Sequence, residues 1–171
     1  MAEDNYPQLQ EYYLNAGYIF VPAVPTLIST VLGSCVAVCL WDRKRVYGGM
    51  NHFLFPSTGD PAQATAQYGN VATRALVRFF LEAGSKLKHL EAQIFGGAHP
   101  PDGAFEAVRV SRENVAVARN TLVKSKVKIV SEDIGGNKGR KLVYNNLTNE
   151  VLVIRVDTLR QADWYPYEGR R

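Results

Sequence analysis

The sequence predicts a mixed-sheet α+β sandwich, because strand-like runs pair at both ends of the chain and helix-like segments lie between them. The chain has 171 residues, of which 46% are hydrophobic and 21% charged, a composition typical of a folded domain with a packed core. Strand pairs at both ends also argue against an all-parallel sheet. No repeat or linker-like tract divides the sequence, so we expect one domain over residues 1–171 with flexible termini.

The first strand pair is predicted by two apolar runs on either side of a polar turn. β-branched and small apolar residues are dense over residues 26–41, and a second run covers residues 46–55. The four polar residues between them predict a β-hairpin. If the turn is centred between Arg43 and Lys44, Cys35 lies directly opposite His52 on the neighbouring strand.

Two helices are predicted after this hairpin. Apolar residues at a three-to-four spacing over residues 61–84 indicate a helix of about five turns that ends at Gly84. Ser111 is the predicted N-cap of a second helix that continues to about Lys124.

The remaining strands are predicted from shorter apolar runs. Residues 90–95 form a strand candidate that ends at Gly96, and residues 127–130 form another. The chain then shows a second hairpin, with strands at residues 141–144 and 150–156 around an asparagine-rich turn. Residues 165–171 contain too few apolar side chains to pack firmly.

Charge and hydropathy exclude two classes of partner. The 20 Lys and Arg exceed the 16 Asp and Glu by four, but the basic residues are scattered and lack interleaved aromatics, so nucleic acid is not expected as a partner. The longest nearly apolar stretch, residues 31–41, is too short to cross a bilayer, and the polar, acidic start does not resemble a secretory signal. With two cysteines only, the chain is expected in the reducing cytoplasm without membrane insertion.

The predicted pairing of Cys35 with His52 indicates cysteine nucleophilic catalysis. An imidazole beside a thiol can take its proton, and the sulfur then attacks an acyl carbon. Gly33 precedes the cysteine by two residues, and backbone N–H groups of such a turn can hold an oxyanion. Ser29 or Thr30 could supply the hydroxyl that orients the histidine.

Other interpretations of the same residues stay open. A cysteine in an apolar strand is often a core residue, and a histidine is often a hydrogen-bonded structural one. Cys39 is surrounded by apolar residues and is predicted to belong to the core. A zinc site made by both cysteines, His52 and either His89 or His99 lacks the short paired spacings of structural zinc sites, so no metal is expected.

The glycine-rich segment at residues 135–141 superficially resembles a phosphate-binding loop. Such a loop requires Ser or Thr after its lysine and then a helix, whereas a strand-like run follows here. We therefore interpret the segment as a tight turn, with a rim beside a pocket as the alternative. His99 lies in a proline-rich stretch and is predicted to be a solvated loop residue.

Five sequence blocks, taken together, resemble the chemoreceptor glutamine deamidase family, CheD. The resemblance runs in order over about residues 18–156, which we expect to be the core of the domain. Near the start of the second helix, residues 110–114 depart from the family pattern of Gly followed by Arg-Asn. The matching blocks are residues 29–38, 48–56, 68–69, 95–98 and 132–141.

The resemblance implies specific roles for three residues. The family's catalytic cysteine follows Gly-Ser and its histidine follows Met-Asn, which places these roles on Cys35 and His52. The hydroxyl residue that orients the histidine stands six positions before the cysteine, at Ser29, with Thr30 next to it. The family fold is similar to the catalytic domain of the cytotoxic necrotising factor toxins, and its chemistry requires no cofactor.

The resemblance also implies a substrate and partners. A glutamine side chain of a methyl-accepting chemotaxis receptor would be converted to glutamate through a cysteine thioester, with release of ammonia. A CheC-type phosphatase is the second implied partner. Two alternatives remain: a regulatory module that docks receptors and CheC with little turnover, and a hydrolase that acts on a glutamine of small GTPases, as the toxins do.

Overall fold

Two β-sheets and two long helices form three stacked layers in the computed structural model, which describes residues 7–158. The expected flexible ends, including residues 165–171, lie outside the described residues. The helices are α1 (Gly69–Glu82) and α2 (Phe105–Lys124). The strands are β1 (Gln10–Tyr13), β2 (Tyr18–Phe20), β3 (Thr26–Leu32), β4 (Val36–Asp42), β5 (Tyr47–Phe53), β6 (Leu90–Gly96), β7 (Lys128–Ile134), β8 (Gly139–Asn145) and β9 (Val151–Val156).

Both sheets mix parallel and antiparallel pairs, which confirms the predicted mixed α+β sandwich. One sheet has the order β1-β3-β8-β9 and the other β2-β5-β4-β6-β7. The pairs β1–β3 and β6–β7 are parallel, and the remaining neighbours are antiparallel.

The five-stranded sheet is buried on both faces, because each face contributes to a separate apolar cluster. On one face, alternate residues such as Val36, Val38 and Leu40 pack against the two helices. On the other face, Cys35, Ala37 and their neighbours pack against the four-stranded sheet. We call this second cluster the inter-sheet layer. Its fully or nearly buried members are Leu14, Ile28, Leu32, Cys35, Ala37, Cys39, Met50, Phe95, Leu142 and Tyr144.

The apolar run over residues 26–41 forms two strands in different sheets. β3 belongs to the four-stranded sheet and β4 to the five-stranded sheet, so the chain crosses between sheets at residues 33–35. Glycine followed by serine breaks the strand at this point. The crossing places Cys35 at the edge of the inter-sheet layer.

The hairpin of β4 and β5 is confirmed, but its predicted register is wrong. Ala37, and not Cys35, is the partner of His52. The loop closes from Asp42 to Tyr47 with four residues between them, and Val46 takes a left-handed conformation with φ 57°. The Asp42 carboxylate accepts hydrogen bonds from the N–H groups of Lys44 and Arg45. The loop has the same length as the polar run but is displaced by one residue towards the C-terminus, since Asp42 pairs within the strand and Val46 belongs to the loop.

Both helices differ from their predicted starts. α1 begins at Gly69 because residues 61–63 form a separate 3-10 turn, although the helix ends before Gly84 as expected, with φ 95° at that glycine. α2 begins at Phe105, six residues before the predicted cap. Ser111 is therefore inside the helix, where its hydroxyl donates to the carbonyl of Val108.

The later strands follow the predicted order with longer bounds. β6 ends at Gly96 as predicted, whereas β7 and β8 extend by several residues beyond the apolar runs that indicated them. The second hairpin, β8–β9, is confirmed around its asparagine-rich turn. β1 and β2 were not predicted from the sequence; both are short strands of three or four residues.

Candidate active site

Cys35 lies in the loop between β3 and β4, where the end of β6 holds the loop on both sides of the cysteine. The N–H of Gly97 donates to the Cys35 carbonyl at 2.8 Å, and the N–H of Ala98 donates to the Gly33 carbonyl at 2.9 Å. The side chain of Cys35 is 8% exposed and borders the inter-sheet layer. The loop is therefore anchored through its backbone, and the thiol lies just below the surface.

Gly96 is required for this anchorage. Its φ of 109° is in the region that favours glycine, and a Cβ atom at this position would overlap the carbonyl oxygen of Cys35. The absence of a side chain lets β6 approach the loop that carries Cys35 closely.

His52 is held from the opposite sheet by Thr30. The Thr30 hydroxyl lies 2.8 Å from Nδ1 of His52 and 2.7 Å from the carbonyl oxygen of Leu14. A carbonyl can only accept, so the hydroxyl proton goes to Leu14, and Thr30 accepts from Nδ1–H of the imidazole. This arrangement leaves the lone pair of the neutral ring on Nε2. That nitrogen is buried and has no hydrogen-bond partner among residues 7–158.

The hydroxyl beside His52 thus belongs to Thr30, which is the alternative to the Ser29 position that the family resemblance implies. Ser29 precedes Thr30 on β3, so its side chain points to the opposite face of the four-stranded sheet. Apolar residues occupy both faces of this strand in the sequence, at Leu27, Ile28 and Val31. Alternation of apolar and polar residues therefore could not indicate which hydroxyl faces inward.

Cys35 belongs to the inter-sheet layer, and His52 lies on the same face of the five-stranded sheet as its partner Ala37, but the two side chains are offset along the sheet. Since Ala37 is opposite His52, the cysteine lies two residues further along on the same face, in a diagonal relation. No hydrogen bond joins the two side chains within the described part of the chain. Apo forms of enzymes often have long distances between catalytic groups that shorten when substrate binds.

Burial keeps both groups neutral at pH 7. Burial raises the pKa of the Cys35 thiol to about 11, and a hydrogen bond from the cysteine's own backbone amide offsets this only in part. Burial lowers the pKa of His52 to about 4, with the Leu14 carbonyl opposing the shift. The pair therefore exists as a thiol and a neutral imidazole, and Nε2 can accept a proton.

The other sulfur and histidine side chains do not join this site. Cys39 is fully buried in the inter-sheet layer, and burial raises its pKa far above the usual range. Among residues 7–158, no group of three or more His, Cys, Asp or Glu side chains is placed to hold a metal ion. His89 follows α1 in a short 3-10 turn before β6, at the other end of that strand from Gly96.

A cavity of about 380 Å³ adjoins the loop that carries Cys35. Gly33 and Ser34 form one wall, and His99 and Asn137 contribute to the others. Within the glycine-rich segment, residues 135–138 form the turn between β7 and β8, residues 139–141 begin β8, and Asn137 and Gly139 line this cavity. His99, predicted as a solvated loop residue, is half-buried, and its N–H donates to the Gly136 carbonyl at 3.0 Å.

Comparison with known proteins gives one consistent family. The family model described as "CheD chemotactic sensory transduction" matches residues 54–155. The chain is 38% identical over 155 residues to the probable chemoreceptor glutamine deamidase CheD of Trichlorobacter lovleyi, which covers 91% of this chain and 96% of that protein. It is 45% identical over 136 residues to the protein named CheD 1 of Anaeromyxobacter dehalogenans, covering 79% and 78% of the two chains. No helix in the described range is long and apolar enough to span a membrane.

Proposed function

Because the chain belongs to the CheD family of chemotactic sensory transduction proteins, we propose that it is a glutamine deamidase that acts on chemoreceptors. The relatives are named as probable chemoreceptor glutamine deamidases, and the site described above has the groups that amide hydrolysis requires. The reaction converts a receptor glutamine and water into glutamate and ammonia. Cys35 is the proposed nucleophile, His52 the general acid and base, and Thr30 the group that orients His52.

In the first step, Cys35 attacks the carboxamide carbon of the substrate. Nε2 of His52 takes the thiol proton as the carbon–sulfur bond forms, because the resting thiol is protonated and Nε2 carries the lone pair. The developing imidazolium keeps its Nδ1–H bond to Thr30. Backbone N–H groups of the turn at residues 33–35 are proposed to hold the oxyanion.

In the second step, the carbon–nitrogen bond breaks and a thioester forms. His52 returns its proton to the leaving nitrogen, which departs as ammonia.

In the third step, His52 removes a proton from water, whose oxygen attacks the thioester carbon. The sulfur leaves, recovers the proton from His52, and glutamate is released. The site is thereby returned to its initial state, and no further reactant is needed.

The observation that carries this proposal is the lone pair on Nε2 of a neutral, buried histidine in the same layer as Cys35. A structural histidine would satisfy both ring nitrogens, because an unpaired buried polar atom costs about 1–3 kcal/mol. Here Nδ1 is paired and Nε2 is not. The unpaired atom is explained if Nε2 accepts the proton of the Cys35 thiol during the reaction.

Ammonia release tests the substrate class. The protein is incubated with the cytoplasmic fragment of a chemoreceptor, and ammonia is measured by a coupled assay. We expect release from a fragment that carries glutamines and none from the same fragment with those glutamines replaced by glutamates. Release from a small GTPase instead would favour the toxin-like alternative. Binding of the receptor without any release would favour the regulatory module.

Two further expectations follow from the family and remain proposals. A CheC-type phosphatase is the proposed second partner, and the cytoplasm is the proposed location. Mixing the purified chain with a purified CheC protein tests the proposed partnership. A complex that forms in size-exclusion chromatography supports it, and separate elution at micromolar concentrations contradicts it.

A further inference from the structure

Asn114, in the middle of α2, connects the loop that carries Cys35 with the strand that carries His52. Its side-chain nitrogen Nδ2 donates to the carbonyl oxygens of Ser34 and Leu54, each at 2.9 Å. Ser34 directly precedes the nucleophile, and Leu54 lies two residues after the histidine. One fully buried amide group therefore sets the distance between the two segments.

The orientation of this amide is fixed by its partners. Both contacts are carbonyl oxygens, which only accept hydrogen bonds, so the nitrogen and not the oxygen of the Asn114 side chain must face them. The oxygen Oδ1 is buried and has no hydrogen-bond partner among residues 7–158. A leucine, which has the same branching but no polar group, would remove this unpaired oxygen and would also leave the two carbonyls without their donor. The asparagine therefore satisfies two backbone carbonyls and leaves its own oxygen unpaired.

We propose that Asn114 is a positioning residue for the deamidation reaction. Its hydrogen bonds fix the distance between Ser34 and Leu54. This brings the Cys35 sulfur within reach of Nε2 of His52, although the two residues are not directly opposite each other. This inference rests on the proposed function of Cys35 and His52. The register offset makes such a clamp necessary, because the two side chains are not directly opposite each other and a displacement of about 1 Å can lower a rate on the order of 10²-fold.

Asn146 offers a matched control at the other end of the same strands. It is also buried, and its Nδ2 donates to the carbonyls of Val24 and Gly48, while its Oδ1 accepts from the N–H of Thr26 at 2.7 Å. Asn146 thus joins the starts of β3 and β5, whereas Asn114 joins segments that follow their ends. Loss of either amide removes buried hydrogen bonds, but only Asn114 is next to the reacting groups.

The test compares Asn114→Ala, Asn114→Leu and Asn146→Ala with the wild type, using deamidation of a receptor fragment at a temperature where each variant is folded. Asn114→Leu keeps the branching and the number of side-chain heavy atoms and removes both the donor and the unpaired oxygen. Both Asn114 variants are expected to lower kcat on the order of 10²-fold with KM within about twofold. Asn146→Ala is expected to keep kcat within about twofold of the wild type.

Alkylation of Cys35 by iodoacetamide gives a readout that does not depend on the enzyme assay. Loss of the Asn114 hydrogen bonds should loosen the loop at residues 33–35 and expose the Cys35 thiol. The pH midpoint of alkylation is then expected to fall towards that of a free thiol in the Asn114 variants. In Asn146→Ala it is expected to stay unchanged. An unchanged kcat in Asn114→Leu overturns the proposal, as does unfolding of both Asn114 variants, which would make the residue structural. If the wild type itself releases no ammonia, the proposed function fails first.

Discussion

At the scale of single residues, Thr30 determines which nitrogen of His52 carries the proton. Its hydroxyl donates to Leu14 and accepts from Nδ1–H, so the ring presents a lone pair at Nε2. In the proposed mechanism, the same hydroxyl also stabilises the imidazolium that forms when His52 takes the proton of Cys35. Without this acceptor, the ring can adopt the other tautomer or rotate away from the cysteine.

Replacement of Thr30 by valine tests this role with nearly unchanged shape. We expect Thr30→Val to lower kcat on the order of 10²-fold, a typical cost of removing a partner that orients a catalytic group, and Thr30→Ser to retain most activity. Ser29→Ala is the matched control and should behave like the wild type. Steady-state kinetics with a receptor fragment measure all three. Equal losses in Thr30→Val and Ser29→Ala would contradict the assignment of the hydroxyl to Thr30.

The sequence could nominate Cys35 and His52 as candidate catalytic residues, but it could not choose between Ser29 and Thr30. The two hydroxyls are adjacent, and apolar residues lie on both sides of the strand, so the inward face was ambiguous. The contact that distinguishes them joins two different sheets. Periodicity describes which residues share a face of one strand, and it contains no information on how two sheets are stacked.

At the scale of elements, the β4–β5 hairpin shows how one turn residue sets a register. Val46 has a left-handed conformation, which a β-branched residue rarely adopts. The sequence therefore indicated Val46 as the start of a strand, and the structure places it in the loop. The hairpin was predictable from its two apolar runs, whereas its register depended on this strained residue.

Replacement of Val46 by glycine should relieve the strain in the turn. The left-handed conformation costs an L-residue about 1–2 kcal/mol, and glycine avoids this cost. Roughly half of the resulting gain in stability is offset by the larger backbone entropy that glycine loses on folding. Since Val46 is half exposed, little apolar burial is lost. We expect Val46→Gly to raise the free energy of unfolding by about 0.5–1 kcal/mol, as measured by urea denaturation. A clear decrease would show that the left-handed turn is absent in solution.

The end of β6 is the second element that positions the site. Alanine at Gly96 would combine a conformation unfavourable to L-residues with an overlap against the Cys35 carbonyl. We expect Gly96→Ala to lower the free energy of unfolding by roughly 2–4 kcal/mol and to abolish deamidation, because the nucleophile loop must shift. Denaturation with urea and the ammonia assay measure the two effects. Gly59→Ala is the control, since nothing lies near its Cβ position. A similarly small effect at both positions would contradict the close approach of Gly96 to the carbonyl of Cys35.

At the scale of the whole molecule, the site is built where two sheets and a helix layer meet. Thr30 comes from one sheet, His52 and Cys35 border the other, and Asn114 reaches in from α2. The sequence predicted the class of fold and the order of its main elements. It missed β1 and β2, because strands of three or four residues are too short to show alternation.

Burying a neutral histidine makes global stability depend on pH. The folded-state pKa of His52 is about 4, below its ordinary value, so the unfolded chain binds the proton more readily between the two values. The contribution of neutral His52 to the free energy of unfolding is therefore complete above about pH 6.5 and is lost as the pH falls towards 4. The maximal contribution of this one group is about 3 kcal/mol.

Urea unfolding at pH 7 and pH 4.5 tests this dependence. We expect the wild type to lose about 2–3 kcal/mol more than His52→Gln over this interval, because glutamine cannot take up a proton. Other titrating groups act equally on both proteins and cancel in the comparison. Identical losses in the two proteins would mean that His52 is accessible to protons in the folded state.

The most direct test of the central claim is mass spectrometry of a chemoreceptor cytoplasmic fragment after incubation with the wild type, Cys35→Ala or Cys39→Ala. Deamidation adds roughly one mass unit at each site, because an NH₂ group becomes OH. The two cysteines lie in the same buried layer, so Cys39→Ala controls for loss of a buried thiol. The account predicts glutamate at specific glutamine positions with the wild type and Cys39→Ala, and an unchanged fragment with Cys35→Ala. Conversion by Cys35→Ala, or none by the wild type, would contradict it.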